Sequence, residues 1–322
     1  MKEGRRNSDV RLLDQVDLAI IRQLGRGARQ SAQDLSGALG VSRPTVMRRI
    51  QKLVASGVLR FAVITDPRTL GFEAWSLLGL TTNPGKSESV AHHLKPIRSV
   101  KGIMLTTGRY GMWLYVVTSD QEELMRLVDE QLGSVPDIVA TEVINLVSTR
   151  KYSWEYLGDS IHPLGKTVPR VLEDSELKLI RELELNPRES IVNLAKRIGL
   201  SSISTSRKLQ SLITDNITRI VAICDPSVLG YNTQTVTFVR VKPGQIFSVA
   251  DSLVKDRRVP FVGITTGRFN ICLWAIFQDS SEMSHFVRHE LAAMPSVIGY
   301  EMMVLGNTPK LSYSFLSDVD SI

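Results

Sequence analysis

The chain has 322 residues and a net charge of +6, and its 43% hydrophobic and 22% charged residues are typical of a globular protein with two or more domains. No apolar run reaches the roughly 20 residues of a membrane-spanning helix, and the N-terminus lacks the apolar segment of a secretory signal. The only two cysteines, Cys224 and Cys272, lie in apolar runs, which favours buried free thiols over a disulfide and predicts a cytoplasmic protein.

The positive charge lies mainly at the N-terminal end. Residues 1–71 contain 13 Lys and Arg against 6 Asp and Glu, a net charge of +7, whereas residues 158–322 contain 18 against 17. A localised basic region favours a polyanionic partner over a merely solvated surface. The arm at the extreme N-terminus either adds phosphate contacts or is disordered; its basic residues are Lys2, Arg5, Arg6 and Arg11.

Three short helices followed by a strand are predicted at the start of the chain. Gly40 supplies a left-handed stop after the second helix, and Ser42 caps the third. In that third helix Val46, Ile50 and Leu53 recur at the spacing of one buried face. Helix, helix, tight turn, helix and strand is the helix-turn-helix plan with a wing-like extension.

The next part of the chain, roughly residues 72–150, alternates strands and helices in the order βαββαβ. The segments KGIMLTTG and GMWLYVVTS pair as strands across a turn at Gly108, and DIVATEVINLVSTRKYS forms a long last strand. This order predicts a ferredoxin-like sandwich, with two helices on one face of an antiparallel sheet. The other face of the sheet is also apolar, and a second copy on the same chain would cover it.

Motifs of the first half of the chain, residues 1–157, return in the second half, residues 158–322, always 159 positions later. An offset held over so long a stretch indicates tandem duplication of a whole unit. The matching pairs include Gly40 and Gly199, Ser42 and Ser201, Arg48 and Arg207, Asp66 and Asp225, Arg109 and Arg268, and Glu142 and Glu301.

The predicted fold class is therefore α+β, with two winged-helix/helix-turn-helix domains alternating with two ferredoxin-like βαββαβ sandwich domains. The Gly- and Pro-containing stretch between the copies is the natural linker. The predicted boundaries are 1–62 for the first helix-turn-helix domain, 63–157 for the first ferredoxin-like domain, 158–170 for the linker, 171–221 for the second helix-turn-helix domain and 222–322 for the second ferredoxin-like domain.

Both parts of each half carry a family resemblance. The stretch LDQVDLAIIRQLGRGARQSAQDLSGALGVSRPTVMRRIQKLVASGVL, followed by a strand and Asp-Pro-x-x-Leu-Gly, resembles the DNA-binding domain of the Lrp/AsnC (feast/famine) transcriptional regulators. The βαββαβ part with TTGRYGMWLYV resembles their small-molecule-binding domain, so the resemblance covers nearly the whole chain, twice.

The resemblance implies a transcriptional regulator that binds double-stranded DNA and responds to a small-molecule effector, an amino acid or another carboxylate metabolite, without a cofactor. Members of the family normally carry one copy and dimerise through the sheet, so this fused chain would stand in for a dimer. Since the family's sheets also associate further, a homo-oligomer is expected, a dimer of tandem chains or higher.

The third helix of the first half carries basic side chains and no acid between residues 42 and 56. A guanidinium pairs bidentately with guanine or clamps a phosphate, although a solvated basic face is the alternative. Two kinds of DNA contact are predicted for this helix. Contact with base edges or nearby phosphates is predicted for Ser42, Arg43, Thr45 and Arg49, and contact mainly with phosphates for Arg48 and Lys52.

The corresponding helix of the second half is less basic and is followed by Asp215. Serine hydroxyls bind phosphates or bases, but they release few counterions, which supply most non-specific affinity. We therefore predict an asymmetric reader, in which the first helix anchors and the second reads a divergent half-site or only packs. The candidate residues of the second helix are Ser202, Ser204, Arg207 and Lys208.

A Thr-Thr-Gly-Arg-aromatic loop occurs in both halves. The glycine permits a positive φ in a tight hairpin, which is one sufficient reason for its presence. Alternatively, the exposed arginines and loop amides bind a carboxylate, and the family resemblance implies an effector near this loop. The ligand-binding candidates are Thr107, Gly108, Arg109, Tyr110, Thr266, Gly267, Arg268 and Phe269.

Arginine in these loops replaces an acidic residue that is frequent in amino-acid-binding members of the family. That acid would pair with the ligand's ammonium, so the change favours a more anionic ligand, or none.

Enzymatic alternatives have less support in the sequence. His285 and His289 have the i, i+4 spacing of metal ligands, but no cysteine or carboxylate pattern completes a site, so a surface pair is favoured. The chain has no G-x-S-x-G, P-loop, HExxH or CxxC motif. Sirohaem decarboxylases remain the rival class, because they resemble Lrp/AsnC proteins, are fused in pairs, and use basic and histidine residues in the sheet domain. The arginine-rich helix argues against that role for the first half.

Overall fold

The computed structural model describes residues 13–153, 156 and 170–317, and each half contains the same order of elements. The basic N-terminal arm and nearly all of the expected linker lie outside these residues. None of the helices in the described ranges is long and apolar enough to cross a membrane.

The helices and strands follow the predicted order in both halves. The elements of the first half are α1 (Gln15–Arg26), α2 (Ala32–Leu39), α3 (Arg43–Ala55), β1 (Leu59–Thr65), β2 (Ala74–Thr82), α4 (Ser87–Leu94), β3 (Val100–Thr107), β4 (Met112–Thr118), α5 (Gln121–Arg126) with a π-helical extension (Leu127–Leu132), and β5 (Ile138–Tyr152). Those of the second half are α6 (Asp174–Leu185), α7 (Ile191–Ile198), α8 (Ser202–Thr214), β6 (Thr218–Cys224), β7 (Thr233–Val241), α9 (Ile246–Val254), β8 (Phe261–Thr266), β9 (Ile271–Phe277), α10 (Ser280–His285) with a π-helical extension (Phe286–Leu291), β10 (Val297–Leu305) and β11 (Lys310–Leu311).

The helix boundaries of the first half follow the predicted signals. Ser42 caps α3, since its side chain accepts a hydrogen bond from the backbone of Thr45. Gly40 ends α2 with φ +63°, a conformation in which a side chain would be strained. Val46 and Leu53 are buried and Ile50 packs against the same core. These predictions are confirmed.

The strand after each helix-turn-helix unit joins the two halves. β1 pairs antiparallel with β6 over seven residues, from Leu59 opposite Cys224 to Thr65 opposite Thr218. The sequence predicts a wing-like extension of each helix-turn-helix unit; the strand instead pairs with its counterpart from the other half. Cys224 of β6 packs into the core of α1–α3, so the two helical units share their cores through this ribbon.

The remaining strands form one nine-stranded antiparallel sheet in the order β10-β7-β9-β8-β5-β2-β4-β3-β11. β5 of the first half pairs with β8 of the second, and β10 pairs with β3 through Val304 opposite Thr107. Because β10 stands at one end of the order and β3 near the other, this last pairing closes the sheet on itself. The two ferredoxin-like units thus face each other within one chain.

The part of the sheet that belongs to the first half faces the part that belongs to the second, and the space between them has an apolar core drawn from both. This confirms the expectation that a second copy covers the exposed sheet face. Leu77, Trp113 and Ile144 of the first half pack with Phe238 and Met303 of the second. Separate apolar cores lie beneath the helices on the outer face of each unit.

The two halves contribute unlike residues at corresponding positions of this core. The first half has Gly79 and Trp113 where the second has Phe238 and Cys272. The Trp113 and Phe238 rings lie 4.3 Å apart between centroids, and a Cβ on Gly79 would come within 2.9 Å of the Trp113 ring. Large residues from one half therefore fill the space left by small residues of the other.

Both cysteines are buried and free, as predicted. Burial raises the pKa of the Cys224 thiol to about 12, so the thiolate that would react with oxidants or alkylating reagents is not populated near neutral pH.

Lys151, near the end of β5, is buried, and its Nζ donates to the backbone oxygen of Asp256 at 2.7 Å. Burial lowers the pKa of Lys151 from 10.5 to about 8. The unfolded chain therefore binds more protons between pH 8 and 10.5, and the free energy of unfolding should rise with pH across that window by about 3 kcal/mol. Urea unfolding of wild type and Lys151→Met at pH 7.5 and 10.5 measures this rise, which the variant should lack; parallel pH profiles for the two proteins would contradict it.

Candidate DNA-binding surface and ligand loops

The exposed face of α3 carries three cations. Arg43, Arg48 and Lys52 are exposed, and within the described residues none of them has an ion pair. Because an α-helix turns by about 100° per residue, Arg48 and Lys52 lie on the side away from the buried Val46 and Leu53. These three residues are called the α3 cationic face below.

Arg49 has a different environment from its neighbours on α3. Its Nη1 lies 2.7 Å from carboxylate oxygens of both Asp14 and Asp17, at the start of α1. The pKa of Asp14 is lowered, chiefly by the backbone N–H of Asp17 and then by Arg49. Arg49 therefore fastens α3 to α1, in contrast to the expectation that it is free for base edges. The sequence motif gave no sign of this pairing, because the acids lie more than 30 residues away.

The second half repeats this interhelical pair at the corresponding position. Lys208 of α8 lies 2.6 Å from Glu173, the N-cap of α6, and these residues correspond to Arg49 and Asp14. Lys208 is thus also held by an acid instead of being free for phosphate. Because this interhelical ion pair occurs in both halves, we infer that it fixes the angle between the first and third helices of each unit.

The other predicted DNA-binding residues give α3 more positive charge than α8. On α8 only Arg207 is an exposed cation without an ion pair among the described residues, and the positions that match Arg43 and Lys52 are Ser202 and Ser211. Ser202 is exposed and Ser204 half-buried on α8, while Ser42 and Thr45 are joined by a 2.9 Å hydrogen bond at the start of α3. In the described chain, α3 thus presents three unpaired cations and α8 presents one.

The two Thr-Thr-Gly-Arg loops come together where β10 closes the sheet against β3. Gly108 and Gly267 have φ of +123° and +109°, so each loop does need its glycine. Within each loop a threonine side chain donates to the backbone oxygen of the aromatic residue, Thr106 to Tyr110 and Thr265 to Phe269, at 2.9 Å. Thr107 and Thr266 are exposed.

The arginines of the two loops have unequal partners. Arg268 lies 2.6 Å from Glu301 and 3.3 Å from Glu142, and Glu142 also accepts a hydrogen bond from the Tyr110 hydroxyl. Arg109 is 57% exposed, and its nearest acid, Glu301, is 3.9 Å away. Both glutamates neutralise Arg268, so Arg109 is the loop cation with free capacity for an anion.

An inter-sheet cleft of about 530 Å³ opens between the facing sheets beneath the β1–β6 ribbon. Aromatic side chains form much of its wall, and Arg60 of β1 is the one charged base that lines it among the described residues. Asp225 also borders it.

The described histidines lie away from this cleft. His92 and His93 are exposed on α4, and His285 and His289 are exposed on or just after α10, on the outer helical layer. His285 lies 3.5 Å from Glu290, and no group of three or more metal-ligating side chains is found within residues 13–153, 156 and 170–317.

Two family models match the first half of the chain. Residues 13–54 match the AsnC-type helix-turn-helix domain, and residues 76–155 match the Lrp/AsnC ligand binding domain. Together they cover α1–α3 and nearly the whole first sheet unit.

Similar regulators match a little under half of this chain over nearly their own full length. The HTH-type transcriptional regulator Ptr1 of Methanocaldococcus jannaschii is 30% identical over 141 residues, which is 44% of this chain and 95% of Ptr1. The HTH-type transcriptional regulator FL11 of Pyrococcus abyssi is 31% identical over 144 residues, 44% of this chain and 95% of FL11.

A solved structure matches the chain over nearly its full length. The sirohaem decarboxylase NirDL has a TM-score of 0.64 at 18% identity, with 92% of this chain and 93% of NirDL covered. At that identity the similarity is one of fold, and it is consistent with the two-unit architecture described above. The identities and coverage of Ptr1 and FL11, together with the two matched domains, show that this chain belongs to the Lrp/AsnC family of helix-turn-helix transcriptional regulators.

Proposed function

We propose that this chain binds specific duplex DNA chiefly through the α3 cationic face, with α8 in a secondary role, and that it responds to a small effector that carries a carboxylate through its sheet units. The observation that carries the proposal is the contrast between three exposed, unpaired cations on α3 and one on α8. Each phosphate neutralised by such a cation releases condensed counterions, which supplies affinity.

The chain offers a matched pair of variants to test the asymmetry. Arg48 and Arg207 occupy corresponding positions of α3 and α8, and both are exposed. Duplexes selected from a random library by the wild-type chain provide the ligand for gel-shift titrations over a salt series. We expect Arg48→Ala to weaken binding about tenfold and Arg207→Ala about twofold, since a charged hydrogen bond contributes about 1.5 kcal/mol. Equal losses would refute the asymmetric reader, and failure to select any motif would refute specific recognition.

Of the two loop arginines, Arg109 is the one with free capacity for an anion, so we expect it to bind the effector's carboxylate. Thr107, Gly108 and Tyr110 lie beside it. Thr266, Gly267, Arg268 and Phe269 would border the same site from the second loop. Glu142 and Glu301 favour a ligand that also carries a donor group, as amino acids do. The two glutamates therefore make an amino acid a better candidate than the loop arginines alone suggested.

Thermal-shift measurements with a panel of amino acids and other carboxylate metabolites distinguish the two loop arginines. Arg268→Ala should lower the melting temperature of the free protein, because Glu142 then loses its cation and Glu301 keeps only the more distant Arg109. Arg109→Ala should leave that temperature within about 1 °C, since an exposed pair contributes little, but should abolish the ligand-induced shift. Identical ligand shifts in wild type and Arg109→Ala would reject the loop as the effector site.

The sirohaem decarboxylase alternative has less support from the chemistry of the cleft. Such an enzyme would use basic and histidine residues, yet the four described histidines are exposed on the outer helices and Arg60 is the cleft's one described base. Titration with the tetrapyrrole, followed by visible absorption, tests it directly. A shifted Soret band with loss of carbon dioxide from the pigment would support the enzyme, and an unchanged spectrum supports the regulator.

A further inference from the structure

The two halves differ at one strand that borders the inter-sheet cleft. β5 runs unbroken from Ile138 to Tyr152, but its counterpart is interrupted between β10 and β11. The interruption contains Pro309, which has no N–H to donate to a ladder. Leu305 and Thr308, at this interruption, line the cleft, so the interrupted strand forms part of its wall.

Eight aromatic side chains line the cleft. Three of the chain's four tryptophans, Trp75, Trp113 and Trp274, line it. Tyr156 packs edge-on against Trp274, with ring centroids 6.1 Å apart. A cleft of about 530 Å³ lies within the range of small-molecule sites, and aromatic walls favour a flat aromatic guest through stacking and edge-to-face contacts.

Polar groups in the cleft are left without partners in the protein. The Trp75 Nε1 and the Tyr156 hydroxyl are buried and have no hydrogen-bond partner in the described part of the chain. Arg60 has no ion pair there either. Buried donors without acceptors are costly and uncommon. Trp75 and Tyr156 line this cleft together with the half-buried Arg60, a set that favours a ligand that carries acceptors.

We propose that the inter-sheet cleft binds a small planar aromatic molecule with a single acid group, which pairs with Arg60. Arg60 is the one described base that lines the cleft and Asp225 adds a negative charge, so the cleft is not suited to a polycarboxylate. This site is separate from the loop pair and from α3, and its occupancy does not depend on DNA binding.

A second cleft, which shares Trp75, Tyr115 and Tyr152 with the first, supplies the matched control. It is lined by Arg219, the counterpart of Arg60, whose Nη2 donates to the backbone oxygen of Tyr152 at 3.0 Å. Arg68, Arg150 and Arg170 also line that cleft, and each is already paired with a carboxylate. The two clefts thus differ in whether their arginines are free.

The test uses two fluorescent probes with the same ring skeleton, anionic 8-anilinonaphthalene-1-sulfonate and neutral N-phenyl-1-naphthylamine, with energy transfer from tryptophan as the readout. We expect both to bind the wild-type chain. Arg60→Gln should weaken the sulfonate at least tenfold and the neutral probe less than twofold, and Arg60→Lys should restore most of the sulfonate affinity. Arg219→Gln should change neither.

Equal weakening of both probes by Arg60→Gln, or loss of the sulfonate in Arg219→Gln instead, would overturn the proposal. If Arg60→Gln does not fold, the wild-type chain still decides the matter by competition. There 2-naphthoate should displace the sulfonate at least tenfold more effectively than 2-naphthol, and equal displacement would reject an acid-specific site.

Discussion

Replacing Arg43, Arg48 and Lys52 together by alanine is expected to lower the affinity for a selected duplex by about two orders of magnitude at physiological salt. Each of these cations is exposed and unpaired in the described structure, so each is available to a phosphate. The slope of log affinity against log salt should also fall, by about 0.9 for each phosphate that the variant no longer neutralises. Fluorescence anisotropy over a salt series measures both quantities.

The control for this variant removes the same charge from elsewhere. Lys86, Lys95 and Lys255 are exposed on the sheet units, and their triple alanine variant has the same net charge as the α3 variant. A general loss of positive charge would weaken DNA binding equally in both proteins. An effect of α3 itself predicts that the control keeps the wild-type salt slope.

Trp113→Ala is expected to cost about 3–5 kcal/mol of the free energy of unfolding, the range for large aromatic residues in a core. The side chain is 1% exposed, stacks on Phe238 and lies 4.9 Å from the Tyr110 ring between centroids. Its Nε1 donates to the Met303 sulfur at 2.9 Å. Because Phe238 and Met303 belong to the second half, hydrogen exchange should accelerate in β7 and β10 as well as in β4.

A double-mutant cycle with Gly79 isolates the packing between the rings. A methyl group on Gly79 would approach the Trp113 and Tyr110 rings to 2.9 Å, so Gly79→Ala alone should cost about 1–3 kcal/mol. In the Trp113→Ala background the clash with the indole is removed and only the contact with Tyr110 remains, so the cost should fall by at least about 1 kcal/mol.

Urea unfolding gives the four free energies of this cycle. Gly37→Ala is the reference, since its added Cβ meets nothing within 4 Å and alanine is the better helix former. Equal costs of Gly79→Ala in both backgrounds would contradict the packing described here.

Local signals in the sequence were sufficient for the helices and strands. Ser42, Gly40 and the spacing of Val46 and Leu53 act within one or two turns of helix, and the βαββαβ order follows from alternation and turns. The constant offset of 159 residues between the halves predicted that one unit covers the other.

Contacts between distant segments were not predictable in this way. Nothing near Arg49 in the sequence identifies Asp14 and Asp17 as its partners, because which helix faces overlap depends on the packing of α1 against α3. The pairing of β1 with β6 similarly replaces a local wing with a contact between halves. The partners of Arg268 arise only because β10 closes the sheet against β3.

Affinity cleavage can locate the exposed side of α3 on a bound duplex. Gln51 and Gln210 are exposed at corresponding positions of α3 and α8, while both native cysteines are buried and unreactive. An iron–EDTA label on Gln51→Cys or Gln210→Cys therefore reports the DNA near one helix only. We expect strong cuts at a few adjacent base pairs of the selected duplex from position 51 and weaker cuts from position 210. Cuts from position 210 with none from position 51 would contradict the account.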